Sequence, residues 1–112
     1  MALYCGVQKL LNAATATGAG TSFPVISKQQ SLQLTGQTTN STGTATVFVQ
    51  ACNDNTNWLS VGTITLALTT STATDGFTSA VPWAYWRGNV NALSGTGAAV
   101  TLLMGWVDGE RT

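Results

Sequence analysis

TATVFVQACNDNTNWLSVGTITL, residues 44–66, alternates, breaks off and alternates again. Before the break, Ala45, Val47, Val49 and Ala51 share one side of an extended chain, and Thr46, Phe48 and Gln50 share the other. That period of two is the signature of a half-buried strand. The break, Cys52 to Asn57, is six small residues rich in Asn and Asp. Such residues tolerate positive φ and bond their own backbone, so the stretch reads as a hairpin turn. After Trp58 the apolar residues change parity, from Leu59 and Val61 to Ile64 and Leu66. A β-bulge near Gly62 accounts for the change.

The same period continues outward from this hairpin. SLQLTGQ, residues 31–37, sets Leu32 and Leu34 against Gln33 and Thr35. YWRGNVNAL, residues 85–93, sets Trp86, Gly88 and Val90 against Tyr85, Arg87 and Asn89. SGTG at 94–97 is a turn, and AAVTLLMGWV at 98–107 a last strand with Val100, Leu102 and Met104 inward. VQKLLNAATA at 7–16 reads as a strand entering a Gly-rich turn. LTTSTATDGFTSAVPW at 68–83 reads as a long crossing loop, with Asp75-Gly76 as a turn dipeptide. Seven or eight short strands bounded by Gly, Ser, Thr and Asn predict one all-β domain over residues 1–112, an antiparallel β-sandwich. Periodicity leaves jelly-roll and Ig-like topologies both open. The expected core is Leu32, Leu34, Val47, Val49, Trp58, Trp86, Val90, Val100, Leu102 and Met104, with Trp58 plugging one end. Residues 1–6 and 108–112 read as flexible or partner-binding ends.

Composition narrows the function. Thr is the commonest residue, 20 of 112, and only 7% of residues are charged, with a net charge of zero. Four scattered cations cannot neutralise a run of phosphates, which argues against nucleic acid as partner. A neutral surface also leaves nothing to keep copies apart, which suits a protein held in an assembly. Cys5 and Cys52, 47 positions apart and without CxxC spacing, read as two thiols rather than a disulfide. The N-terminal stretch lacks a basic start and carries Lys9 inside its apolar run, so it does not read as a secretory signal. No run approaches the ~18 apolar residues of a membrane span. The expectation is synthesis in a reducing cytoplasm.

Chemistry finds little to work with. The chain has no His, hence neither the commonest general base nor the commonest metal ligand. Two Cys without His make a four-ligand zinc site implausible. Asp54 and Asp75 lie in separate turn-rich segments rather than in one evident cleft. NDNTNW at 53–58 offers oxygen ligands but one carboxylate, and lacks the Gly and closing Glu of an EF-hand, so it reads as a turn. The expectation is a protein that is not an enzyme and takes no metal or cofactor.

What remains are surface candidates. VPWAYW at 81–86 packs two Trp and one Tyr behind a Pro. Trp83 and Tyr85 could form an aromatic platform for a protein partner or a sugar ring. Phe48 falls on the polar face of its strand, where a large apolar residue marks an interface. Arg87, outward by the same alternation, is the charged candidate.

VFVQACNDNTNWLSVGTITL at 47–66, TDGFTSAVPWAYWRGNVNALSGTGAAVTLLMG at 74–105 and the opening LLNAATATGAGTSFPV at 10–25 together resemble a family of small tailed-bacteriophage virion proteins. The resemblance rests on the NDxTNW, PWxYxRxNV and SGTGA elements in this order, and covers about residues 10–105. It implies a β-sandwich of the capsid decoration or cement type, which binds the major capsid protein or other copies of itself without catalysis, on the capsid surface of the virion. Asn55 stands where that family usually has Gly, Cys52 where it has Ser, Phe48 where a charged residue is common and Trp86 where Val is. These departures touch the partner surface rather than the fold. The NDNTNW hairpin alone is also similar to one of discoidin-like carbohydrate-binding sandwiches. The alternatives implied are therefore a glycan- or receptor-binding module of the virion surface or tail, or a neck or tail component.

Overall fold

The computed structural model describes residues 2–40 and 42–111, and side chains over 6–40 and 42–107. Nine strands follow one another: β1 (Ala2–Ala14), β2 (Gly18–Ala19), β3 (Phe23–Pro24), β4 (Gln29–Gln37), β5 (Gly43–Cys52), β6 (Leu59–Leu68), β7 (Ala73–Ser79), β8 (Tyr85–Ser94) and β9 (Ala99–Arg111). The fold is all-β, as the alternation requires.

Two antiparallel sheets result, one in the order β1-β9-β4-β7 and the other in the order β2-β8-β5-β6. β2 and β3 both pair with β8, through Gly18↔Val90 and Ala19↔Asn89, then Phe23↔Trp86 and Pro24↔Tyr85. They act as one edge strand interrupted by a short excursion. Counted that way, eight strands pair first with last, second with seventh, third with sixth and fourth with fifth. That is a long hairpin rolled over on itself, the jelly roll. Of the two topologies the alternation left open, this is the one adopted.

The inward face of each strand supplies the core. Leu32, Leu34, Val47, Val49, Trp86, Val90, Val100, Leu102 and Met104 are each at most 2% exposed. Leu10, Leu11, Ile64, Leu66 and Leu68 join the same cluster. Trp86 is the largest, and its indole N–H donates to the Trp83 carbonyl at 3.2 Å, so its one polar atom is satisfied. Trp58 departs from expectation: it is half-buried and stands outside this cluster. It precedes β6 and lies under the Arg87 guanidinium of β8.

The bulge falls where the change of parity placed it. Val49 pairs with Gly62 and Gln50 with Ser60, leaving Val61 as the extra residue. Gly62 is tightly overlaid, since a Cβ there would lie 2.2 Å from the Phe77 ring. The crossing loop read over residues 68–83 is the main correction. It contains β7, which pairs with β4 through Leu32↔Phe77, Gln33↔Gly76 and Leu34↔Asp75. Asp75-Gly76 is thus mid-strand rather than a turn. At the Gly76 position a Cβ would meet the Leu32 carbonyl oxygen at 1.9 Å, so glycine there permits the close approach of two backbones. The Asp75 carboxylate accepts the Gly76 N–H at 2.8 Å, occupying a group that an edge strand would otherwise expose.

The stretches marked as ends, 1–6 and 108–112, contribute their described residues to β1 and β9. Those strands pair from Ala2↔Arg111 inward, with register shifts at Tyr4/Cys5, Lys9/Leu11 and Leu11/Ala14. The Cys5 side chain lies outside the described residues. Cys52 is buried with a free thiol.

Candidate functional site

The hairpin tip comes first, because it carries the densest polar sequence. Asp54 organises it: one carboxylate oxygen accepts the backbone N–H groups of Thr56 at 3.0 Å and Asn57 at 2.9 Å, and the other accepts the Asn57 side-chain amide at 2.6 Å. Asn55 sits at φ 59°, the left-handed conformation that Asn tolerates. Those donors, Asn57 foremost, hold the Asp54 carboxyl down to about 2 from its ordinary 3.8. Both oxygens are thus engaged in closing the turn. Asn53 ties the tip to the chain entering β8, accepting the Ala84 N–H at 3.0 Å. The loop is a self-satisfied turn, and no cluster of three His, Cys, Asp or Glu side chains forms among the described residues.

The outer face of the β2-β8-β5-β6 sheet is the more informative surface. Alternation turns Thr44, Thr46, Phe48 and Gln50 of β5 away from the core while Ala45, Val47, Val49 and Ala51 are fully buried. Register then decides their neighbours. Phe48 lies between Thr63 of β6 and Asn89 of β8, and Gln50 lies opposite Arg87. The Gln50 side-chain oxygen accepts Arg87 Nε–H at 2.8 Å and the Asn89 amide at 3.4 Å. The Arg87 guanidinium carbon stands 4.4 Å from the centre of the Trp58 ring. Arg87 is therefore held by a hydrogen bond on one side and by an aromatic face beneath, a geometry available to a planar guanidinium. On this face a half-buried Phe and one fixed cation sit among Thr, Ser and Asn.

The four surface candidates divide. Phe48 and Arg87 share this face as near diagonal neighbours. Tyr85 has the same outward parity at the start of β8, opposite Cys52 and Pro24. Trp83 does not join them: it is half-buried against the core cluster, in the segment before β8. Trp58, assigned by sequence to the core, becomes the floor under Arg87 instead. Nothing local in the sequence links Trp58 to Arg87, 29 positions apart. Only the register of β5 between β6 and β8 brings them together.

Two further features escaped sequence reading. Gln30 is 2% exposed and fully partnered, donating to the Ser27 carbonyl and hydroxyl and accepting from Ser79 and from the Val81 N–H. It pins the chain entering β4 to the chain leaving β7. On the other sheet's outer face, Gly105 floors a concavity of about 630 Å³ rimmed by Val7, Ser31, Thr78 and Val107. Val7 is 69% exposed there.

No family model and no curated protein matches the chain. Among solved structures, the crystal structure of the SPBc2 prophage-derived protein YomS matches with a TM-score of 0.64, over 96% of this chain and 96% of that one, at 15% sequence identity. At that identity the likeness is one of fold, and it extends over nearly the whole of both chains.

Proposed function

We propose that this chain is a structural protein of a tailed-phage virion, most specifically a capsid decoration protein that binds the major capsid protein or further copies of itself. The observation that carries the reading is the outer face of the β2-β8-β5-β6 sheet. It presents Phe48 and a fixed Arg87 on a Thr-rich surface. The fold shared with a prophage-derived protein supports the phage origin, as does the order of the NDxTNW, PWxYxRxNV and SGTGA elements. The mechanism is burial rather than chemistry: each copy adds contact area across subunit junctions on the capsid surface. Each contributes modestly, because association costs offset much of the burial, and many symmetric copies add up.

The carbohydrate reading asks for open aromatic rings side by side. Trp83 packs on the core and Trp58 is covered by Arg87, which breaks up the Trp83–Tyr85 platform and weakens that alternative. The deciding experiment is copy number per particle, by quantitative mass spectrometry of purified virions against the major capsid protein. A simple ratio to the capsid subunit supports decoration. A dozen or fewer copies, roughly one ring, would place the chain in the neck or tail. Absence from virions would remove the reading altogether.

A further inference from the structure

Arg87 carries an unfinished set of hydrogen bonds. Its Nε donates to Gln50, and its ring-facing side is taken by Trp58, but among the described residues no acceptor engages its terminal nitrogens. A guanidinium has five N–H donors in a rigid fork that matches a carboxylate bidentately. The two carboxylates among the described side chains are committed elsewhere, Asp54 to its own turn and Asp75 to the Gly76 N–H. Arg87 is half-buried, and the side chains flanking it on this face, Gln50 and Asn89, are uncharged. A cation held so rigidly, partly desolvated and without a counter-ion among the described residues, is arranged for an anion from outside. Its rotamer entropy is already spent on Gln50 and Trp58, which lowers the cost of pairing.

We propose that the outer face of the β2-β8-β5-β6 sheet captures an acidic side chain, Asp or Glu, of a partner protein's surface, with Arg87 as the bidentate donor and Phe48 as the apolar anchor next to it. Cross-strand geometry sets Phe48 and Arg87 about 7–8 Å apart as diagonal neighbours. The partner segment therefore presents a carboxylate flanked by an apolar group at similar spacing. The proposal rests on the virion-protein reading for the partner's identity, but its chemistry is testable without it.

The first arm uses the purified, isotope-labelled chain titrated with a hexaglutamate peptide. Saturable NMR shifts at the Arg87 Nε–H and the Trp58 indole N–H are expected, with the Trp58 shift lost in Arg87→Gln. Failure of both signals to move overturns carboxylate capture, whatever the protein's place in the particle. The second arm measures binding to purified particles lacking this protein. Arg87→Gln should weaken binding roughly tenfold or more, and Arg87→Lys by less, since it keeps the charge and loses the fork. Unchanged binding by a folded Arg87→Gln variant overturns the docking role. If the wild-type chain binds no particle, the virion reading fails and the peptide arm alone decides the chemistry.

Discussion

The Arg87 guanidinium carbon lies 4.4 Å from the centre of the Trp58 ring, joining the strand β8 to the residue just before β6 across the intervening β5. The contact fastens the hairpin tip to the middle of the sheet. Replacing Trp58 by Leu removes the aromatic face and should cost about 1–2 kcal/mol, read from chemical denaturation. Arg87→Lys should cost about half as much, because the ammonium keeps the charge but cannot stack as a plane. Equal stability of both variants and wild type would show the stack to be incidental.

The Asp54 turn sets a pH dependence. Its carboxyl is held down to about 2 in the folded chain, so its contribution is fully present above the ordinary value of 3.8. As pH falls through about 2 the carboxyl protonates and the contribution is lost. We expect the Thr56 and Asn57 amide signals to move together over that window while core signals stay fixed. Asp54→Asn should remove the transition.

Gly62 and Gly76 are both crowded, but by different atoms. A methyl group at Gly62 meets the Phe77 ring, and one at Gly76 meets the Leu32 carbonyl of the neighbouring backbone. Gly62→Ala should destabilise by about 1–3 kcal/mol, and a second change, Phe77→Leu, should recover much of the loss. Gly76→Ala should cost at least as much, and no side-chain truncation should rescue it. Thermal unfolding of the three variants separates the two cases.

Gln30 is buried and its side chain makes four hydrogen bonds. Gln30→Leu keeps the apolar stem but strands the Val81 N–H, the Ser79 hydroxyl and the Ser27 carbonyl that it now satisfies. The expected loss is about 2–4 kcal/mol, with hydrogen-exchange protection falling first in the segments around Ser27 and Val81. A neutral Gln30→Leu would mean that water replaces the side chain at no cost.

Phe48→Asp tests the outer face without touching the core. Phe48 projects away from the buried Val47 and Val49, so melting should shift little while binding to particles is lost. Full binding with the fold intact would take Phe48 out of the interface.

Much of this architecture is present in local pattern. The alternation in β4, β5, β8 and β9 named the inward residues, because a period of two leaves each strand a single buried face. The tip at Asp54 and the bulge at Val61 were legible for the same reason: each is a local interruption of that period. Tertiary pairing decided the rest. Asp75-Gly76 favours a turn by itself, yet the ladder with β4 holds it extended, since the backbone hydrogen bonds of pairing outweigh a dipeptide preference. The jelly roll over the Ig-like alternative depended on β1 finding β9 across the length of the chain, and no local signal encodes that. Trp58 looked like core because large aromatics usually are. Only the order of three strands showed that its ring faces Arg87 instead, and so built the one charged feature of the outer face from residues that the sequence keeps apart.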